Sequence, residues 1–264
     1  MTWSADLQEL AAFAEQLADG ARSVSCRYFR TSTEVDTKAD DSPVTRADRE
    51  TETFLRERIQ ARYPNAGLFG EEQGAGGLEA DLVFVVDPID GTKSFITGSP
   101  LFGTLIAALR HGKPVVGVID MPVLKERWVG VAGQPTVYRW AERTVQCRSQ
   151  GAATLAQASV STTSPDMFTA TEWSRFEAVS QRARVRRFGG DCYQYGRVAC
   201  GELDLVVESD LKPYDYLALV PVVTGAGGRI TDWQGAQLNL DSDGCVLATA
   251  NAALHAEAVA MLGR

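Results

Sequence analysis

The sequence has few histidines, no closely paired cysteines and no long apolar run. Its two histidines, His111 and His255, make a histidine-based zinc site or a Ser-His-Asp triad difficult to assemble. The five cysteines lie apart, without a C-x-x-C pair, which favours reduced thiols over a disulfide framework. No stretch approaches the ~18 consecutive apolar residues of a membrane span, and the first residues show no signal-peptide pattern. We therefore expect a cytoplasmic protein that does not bind to or cross a membrane.

The sequence also has fewer basic residues than acidic ones. The 264 residues include 26 Lys and Arg against 34 Asp and Glu, for a net charge of −8. A chain this acidic is poorly suited to bind nucleic acid or an anionic membrane surface. It would attract an anionic substrate only if bound cations inverted the local field. Hydrophobic residues make up 45% and charged residues 23%, as in ordinary globular proteins.

Hydrophobic patterning predicts a mixed α/β protein. Apolar residues at helical spacing predict a helix over 5–18 and another over 46–62, the second opened by a capping box of Thr45 and Asp48. The polar segment 31–44 between them is predicted to be an exposed, mobile loop. The apolar run Leu82–Val86 predicts a strand buried on both faces and ending at Asp87.

The rest of the chain adds strands and then alternates strands with helices. Further strands are predicted at 101–109, 115–119, 127–132, 136–140, 158–161, 185–188, 203–208 and 245–249, the first two as a hairpin. Further helices are predicted at about 172–182, 192–200, 215–226 and 252–262. We expect one domain, 1–264, with an N-terminal half of about 1–147 and a C-terminal half of about 148–264.

The segment 86–94, Val-Asp-Pro-Ile-Asp-Gly-Thr-Lys-Ser, has the strongest functional signal. Asp87 comes at the carboxyl end of a buried strand, where open α/β sheets place ligands, and Asp90 follows closely. Gly91 permits an unusual backbone angle, and Thr92 can open a short helix whose N–H groups face an anion. Converging carboxylates repel each other unless a cation neutralises them. Oxygen ligands without nearby histidine or cysteine favour Mg²⁺ over Zn²⁺.

Two further acidic segments accompany this one. Glu71 lies in Gly-Glu-Glu after the apolar pair Leu68-Phe69, and Asp215 lies in Lys-Pro-Tyr-Asp-Tyr ahead of the Gly-Gly at 227–228. Each segment alone has a simpler interpretation. Glu71 fits a polar turn, Asp215 fits the cap of a following helix, and an isolated D-x-x-D fits a cap or a solvated loop. It is the order of the three segments together that favours a metal site.

Together with Pro43-Val44-Thr45-x-x-Asp48, these segments resemble the inositol monophosphatase superfamily over essentially the whole chain. The first signature of that family is a D-P-[ILV]-D-G-T string, and the second is a W-D-x-A segment ahead of Gly-Gly. This chain departs from the second signature at Tyr214, where tryptophan is common. The resemblance implies an αβαβα sandwich, a Mg²⁺-dependent phosphomonoesterase of small substrates, and a homodimer.

The resemblance also implies a set of metal ligands. Glu71, Asp87 and the backbone carbonyl of Ile89 would bind a first Mg²⁺. Asp87, Asp90 and Asp215 would bind a second, and Glu71 would contact a third, weaker ion.

The remaining roles that the resemblance implies concern phosphate and water. Gly91 and Thr92 would offer N–H groups to the phosphate. Glu71 and the Thr92 hydroxyl would orient and activate a metal-bound water, so that no covalent phosphoenzyme is required. Asp48 matches an acidic family position near the metals and fits its capping box equally well.

The substrate suggested by the sequence is histidinol phosphate. Three segments resemble the histidinol-phosphate phosphatase branch, at 87–103, 189–193 and 208–215. Histidinol has an ammonium group and an imidazole, so buried acids could pair with it, whereas inositol is a neutral polyol. Asp191 and Glu208 are the candidate substrate contacts. Their alternatives are a helix N-cap for Asp191 and a surface acid at a strand end for Glu208.

Other functions remain open from the sequence. One is an inositol-1-phosphatase or a phosphomonoesterase of broad specificity. Another is a catalytically inactive regulatory relative, although none of the four metal-site acids is missing. A nucleotide 3′-phosphatase is disfavoured, because the sequence shows no basic cluster suited to a second phosphate.

Overall fold

The computed structural model describes residues 5–31, 35–37 and 43–263. The α-helices in this part of the chain are α1 Ala5–Ser25, α2 Arg46–Arg62, α3 Thr92–Ile96, α4 Ala170–Ser180, α5 Asp191–Ala199, α6 Pro213–Tyr216, α7 Leu219–Gly225 and α8 Ala252–Leu262. The strands are β1 Val35–Thr37, β2 Pro43–Thr45, β3 Gly67–Gly70, β4 Gly74–Gly76, β5 Leu82–Asp90, β6 Gly103–Arg110, β7 Lys113–Met121, β8 Glu126–Val131, β9 Val137–Trp140, β10 Arg143–Gln146, β11 Ser159–Thr162, β12 Val185–Phe188, β13 Leu205–Glu208, β14 Arg229–Thr231 and β15 Val246–Thr249.

These elements stack in five layers. An eight-stranded sheet has the order β10-β9-β8-β7-β6-β5-β3-β4, and a five-stranded sheet has the order β12-β11-β13-β15-β14. Helices α1 and α2 pack on the outer face of the larger sheet, and α5, α6 and α7 lie between the sheets. Helices α4 and α8 pack on the outer face of the smaller sheet. The predicted αβαβα sandwich is confirmed.

Strand β5 shows why its sequence is a continuous apolar run. Successive side chains of a strand point to opposite faces of the sheet. Phe84 and Val86 pack against α1 and α2, whereas Val83 and Val85 pack in the layer of α5 and α7. Since both faces are covered, both sets of side chains are apolar.

The predicted hairpin is also present. Strands β6 and β7 pair antiparallel up to Arg110 opposite Lys113. The two turn residues between them, His111 and Gly112, have φ values of +49° and +73°, as a tight two-residue hairpin turn requires.

Helix α1 is longer than the predicted 5–18. It continues past Gly20, where a Cβ would collide with the Phe54 ring of α2. Glycine therefore lets the two helices approach closely at this point. Beyond it, Ala21 and Val24 extend the buried face of the helix.

Two other predicted elements differ from the structure. The predicted loop 31–44 contains β1 and most of β2, which pair antiparallel; the rest of that prediction, at 32–34 and 38–42, lies outside the described residues. The predicted helix 215–226 is divided into α6 and α7. Pro221 has no N–H to donate to the Leu217 carbonyl, which accounts for the break.

The short strands β3, β4, β10 and β14 were not expected from the sequence, because they are brief and lack clear alternation.

The chain passes from the larger sheet to the smaller one between Gln146 and Ser159. The division into two halves of one domain stays a prediction. Among the described residues, no helix is both long and apolar enough to cross a membrane.

Candidate metal and phosphate site

Two parallel strands bring acidic residues to one edge of the larger sheet. Strands β3 and β5 pair in parallel with Gly70 opposite Val86, so their carboxyl ends lie side by side. Glu71 follows β3 directly, while Asp87 and Asp90 lie at the end of β5. Open α/β sheets place their ligands at such an edge.

A β-bulge brings both β5 carboxylates into one group. The register with β6 shifts between Asp87 and Asp90, which interrupts the normal alternation of side chains. The Ile89 amide donates to Asp87 Oδ1 at 2.9 Å, and Thr104 Oγ1 donates to the Pro88 carbonyl at 2.9 Å. The strand therefore ends at Asp90, and the prediction that it ends at Asp87 is wrong.

Asp215 completes an acidic cluster with the two β5 residues. Carboxylate oxygens of Asp87, Asp90 and Asp215 all lie within 4.8 Å of one another. The Lys212 amide donates to Asp215 Oδ2 at 2.6 Å. Asp215 therefore caps α6 from inside its first turn and also contributes to the cluster, so the two interpretations of this residue are compatible.

Three ionised carboxylates so close together in the acidic cluster repel one another. Burial, followed by the Glu71 charge, raises the pKa of Asp87 well above its ordinary value. The pKa of Asp90 is also raised well above its ordinary value, mainly by burial and next by the charge of Asp191. Burial, followed by the Glu71 charge, raises the pKa of Asp215 to about 8. Close carboxylates must hold protons unless a cation neutralises them, and this all-oxygen donor set fits a hard divalent cation.

Asp48 belongs to a helix cap and to this site. Its Oδ2 accepts hydrogen bonds from the Thr45 amide and hydroxyl at 2.8 and 2.6 Å, which confirms the predicted capping box. Its Oδ1 lies 3.3 Å from Thr92 Oγ1, which in turn lies 3.2 Å from the Ile89 carbonyl oxygen. The side chain is buried, and burial raises its pKa. One carboxyl group therefore links the start of α2 to the start of α3.

Gly91 begins the turn that leads to Thr92. Its φ is +85°, in the left-handed region that favours glycine. A Cβ at this position would lie 2.9 Å from the Asp191 carboxyl carbon and 3.2 Å from the Leu101 carbonyl oxygen. Any side chain would therefore force this turn away from α5.

Asp191 is the first residue of α5, and its φ of +45° is unusual for a residue other than glycine. The N-cap of α5 is Gly190, so the N-cap interpretation of Asp191 is wrong. Instead, Asp191 Oδ2 accepts a hydrogen bond from Ser94 Oγ at 3.1 Å. Burial raises the Asp191 pKa to about 6. The next amide, of Cys192, donates to Asp90 Oδ2 at 2.6 Å, so α5 contacts the acidic cluster directly.

Glu208 lies at the end of β13 and is only 2% exposed, so the interpretation as a surface acid is wrong. Its Oε1 accepts from the Thr163 amide at 2.9 Å, and its Oε2 accepts from the Tyr195 hydroxyl at 2.7 Å. Burial raises the Glu208 pKa to about 7, although both hydrogen bonds act in the opposite direction.

A cleft connects these groups. Its open part has a volume of about 830 Å³ and is lined by Glu71, Gly91, Thr92, Lys93, Asp191 and Lys212 among others. A smaller cavity of about 130 Å³ is lined by Asp90, Asp191, Tyr195, Glu208 and Asp215 among others. Asp191 lines both spaces. The combined site has the size of a small-molecule pocket, and its charged groups are mainly acids.

Glu52 is a residue of this site that the sequence analysis missed. It is buried on α2, where its two carboxylate oxygens accept from the Glu72 amide at 2.6 Å and the Gln73 amide at 3.0 Å. Gly70 is required beside it, because a Cβ there would collide with the Glu52 carboxylate. Glu52 therefore holds the turn that presents Glu71. Its signal was present in the sequence, as an acid on the apolar face of an amphipathic helix.

We expect Glu52→Gln to weaken Mg²⁺ binding by about 10- to 100-fold, the usual effect of losing a group that orients a metal ligand. The amide places an N–H donor where the carboxylate accepts from backbone N–H groups. Isothermal titration with Mg²⁺ measures the change. Glu57→Gln, on the exposed face of the same helix, is the matched control. An unchanged Mg²⁺ affinity in Glu52→Gln would contradict this role.

Comparison with known proteins gives consistent matches. A sequence model of the inositol monophosphatase family matches residues 6–263. The bifunctional phosphatase IMPL2 of Arabidopsis thaliana, described as chloroplastic, is 45% identical over 92% of this chain and 70% of its own length. A histidinol-phosphatase of Chlorobaculum parvum is 34% identical over 95% of both chains. A solved structure of an inositol monophosphatase from Zymomonas mobilis has a TM-score of 0.88 and 40% identity, covering 99% of this chain and 100% of that one.

Proposed function

The chain belongs to the inositol monophosphatase family, and from this premise we propose that it is a Mg²⁺-dependent phosphatase that hydrolyses L-histidinol phosphate to L-histidinol and phosphate. Family membership and the phosphatase-named relatives support phosphatase activity. The observation that carries the finer proposal is the pair of acids beside the metal-type cluster, the half-buried Asp191 and the buried Glu208. Such acids suit a leaving alcohol that has positive charge.

In this proposal the acidic cluster holds the divalent cations. Glu71, Asp87 and the Ile89 carbonyl would bind one Mg²⁺, and Asp87, Asp90 and Asp215 a second, with Glu71 also the contact for a third. Bound Mg²⁺ would supply positive charge against the phosphate and lower the pKa of water. The raised carboxyl pKa values at this cluster support the assignment, because burial and then the neighbouring negative charges disfavour the ionised carboxylates, and a bound cation would stabilise them.

The neighbouring residues would bind the phosphate and orient the attacking water. Gly91 and Thr92 would donate backbone N–H groups to phosphate oxygens. The Thr92 hydroxyl and Glu71 would position the water. Asp48, which lies within hydrogen-bond distance of the Thr92 hydroxyl, would accept a hydrogen bond from that hydroxyl and so direct the lone pairs of its oxygen toward the water.

The leaving alcohol would lie toward α5 and β13. Asp191 and Glu208 would pair with the ammonium and imidazole of histidinol, and these contacts would offset the desolvation of both partners. The relative in Chlorobaculum parvum, named a histidinol-phosphatase, supports this choice of substrate.

The proposal predicts a substrate preference that steady-state kinetics can measure. We expect kcat/KM with Mg²⁺ to be about 10- to 100-fold higher for L-histidinol phosphate than for inositol 1-phosphate. One charge-assisted hydrogen bond contributes about 1.5–3 kcal/mol, which corresponds to that range. A higher kcat/KM for inositol 1-phosphate would overturn the substrate assignment and leave the phosphatase activity standing.

A second candidate function is inositol-1-phosphate hydrolysis or broad phosphatase activity. It is favoured by the likeness to the Zymomonas mobilis inositol monophosphatase. A catalytically inactive regulatory protein is disfavoured, because Glu71, Asp87, Asp90 and Asp215 are all present. We also propose a homodimer and a cytoplasmic location, which size-exclusion chromatography with light scattering and cell fractionation would test.

A further inference from the structure

Glu208 is held from two sides by groups in different parts of the chain. The Thr163 amide, just after β11, donates to one carboxylate oxygen, and the Tyr195 hydroxyl on α5 donates to the other. Glu208 and Tyr195 are 2% and 1% exposed. A carboxylate with one donor on each oxygen keeps a further lone pair on each for a ligand.

Helix α5 presents several polar groups to the same region. Asp191 and Tyr195 are four residues apart and so lie on one face of the helix, and both line the small cavity with Glu208. Between them, Gln194 Nε2 donates to Thr163 Oγ1 at 3.1 Å. One helix therefore supplies an acid of the site and two groups that support the other acid.

We propose that Tyr195 is a positioning residue for substrate specificity, which orients the Glu208 carboxylate toward a cationic group on the leaving alcohol. This inference rests on the proposed function, because it assumes a phosphate ester whose alcohol has positive charge. Tyr195 itself makes no bond to the reacting atoms. Its hydroxyl acts through Glu208.

The surroundings of Glu208 explain why one hydroxyl matters. The small cavity also has apolar walls, from Met167, Leu211 and Leu219. In such surroundings a carboxylate oxygen that loses its donor is poorly stabilised in the charged form. Burial already raises the Glu208 pKa to about 7, and the Tyr195 hydrogen bond counteracts that rise. Removing the hydroxyl would therefore weaken Glu208 as a partner for a cation.

Tyr195→Phe tests the inference, since it removes one oxygen and keeps the ring. We expect the KM for L-histidinol phosphate to rise about tenfold, the effect of about 1.4 kcal/mol, with little change in kcat. The KM for inositol 1-phosphate, whose alcohol is uncharged, should change by less than about twofold. Tyr193→Phe, on the same helix, is the matched control, because its hydroxyl faces Glu126 at 3.5 Å. In that variant the ratio of the KM values for the two substrates should equal the wild-type ratio.

A double-mutant cycle separates positioning from packing. In a Glu208→Gln background the charged partner is absent. Adding Tyr195→Phe to that background should therefore change the ratio of the KM values for the two substrates by less than about twofold. If Tyr195→Phe instead raises the KM for both substrates by the same factor, or lowers the Tm together with both activities, Tyr195 is a packing residue and the inference is overturned.

The outcomes also distinguish this inference from the proposed function. If the wild-type protein prefers inositol 1-phosphate, the proposed substrate is wrong and the inference falls with it. If the wild type prefers L-histidinol phosphate and Tyr195→Phe leaves that preference unchanged, the proposed function stands and the inference alone is overturned.

Discussion

Replacing Asp90 with asparagine is expected to reduce Mg²⁺-dependent phosphate release by about 10²- to 10⁴-fold. Metal ions contribute several kcal/mol to stabilisation of charge in the transition state, and each 1.4 kcal/mol is tenfold in rate. Asparagine keeps an oxygen that can accept from the Cys192 amide, which lies 2.6 Å from Asp90 Oδ2 in the wild type. The variant therefore removes charge from the cluster with little change in shape.

The same variant should fold normally. Removing one of three repelling carboxylates relieves like-charge repulsion, so the Tm in EDTA should equal or exceed that of the wild type. Asp81→Asn is the matched control: Asp81 immediately precedes the opposite end of β5 and its side chain is 81% exposed. Near-normal turnover in Asp90→Asn, with the control also normal, would overturn the metal assignment.

The thermal stability of the metal-free protein should fall as the pH rises from about 5 to 8. Asp215, Glu208 and Asp191 have folded-state pKa values raised to about 8, 7 and 6, against about 4 in an unfolded chain. Between these values the folded protein binds more protons than the unfolded one. The free energy of unfolding therefore decreases with rising pH across this window.

Mg²⁺ should offset this loss of stability at high pH, because the ion takes the place of protons at the carboxylates of the cluster. At pH 8 a concentration of about 100 Kd adds about 2.7 kcal/mol, which for a chain of this size raises the Tm by roughly 5–10 °C. At pH 6 the increase should be smaller, since protons compete with the ion. Thermal melts at both pH values, in EDTA and in excess Mg²⁺, measure both effects.

The acidic cluster supplies an internal control for these melts. In Asp215→Asn, both the decline of Tm in EDTA and its recovery with Mg²⁺ should be weaker than in the wild type. A Mg²⁺ effect that is equal at pH 6 and pH 8 would show that the ion does not compete with protons at buried carboxylates. The cluster would then not be its site.

These electrostatics also account for an acidic protein that acts on an anion. The chain has a net charge of −8, and its most crowded buried acids lie where the phosphate is proposed to bind. In the proposed function those acids are ligands, and the bound cations present the positive charge to the substrate. Lys93, which also lines the cleft, would add to that charge, whereas the charge of Lys212 is paired with Asp210.

The sequence by itself determined where most of the longer helices and strands lie. Helix α2 has the predicted bounds, and its Thr45–Asp48 capping box is present, because a cap involves residues only three positions apart. The apolar run of β5 and the hairpin turn at His111 were likewise readable from neighbouring residues. The three acidic segments could be recognised from their order along the chain, although each alone fits a cap or a turn better than a metal site.

The tertiary structure decided which of these residues meet. Parallel pairing of β3 and β5 and the bulge before Asp90 brought distant acids together, and no local pattern specifies that convergence. The same holds for Glu52, which supports a turn twenty residues away, and for Glu208, whose burial excluded a surface role. Local propensity depends on neighbours in sequence, whereas burial, hydrogen-bond partners and raised pKa values arise from segments that become neighbours only when the sheets and α5 pack together.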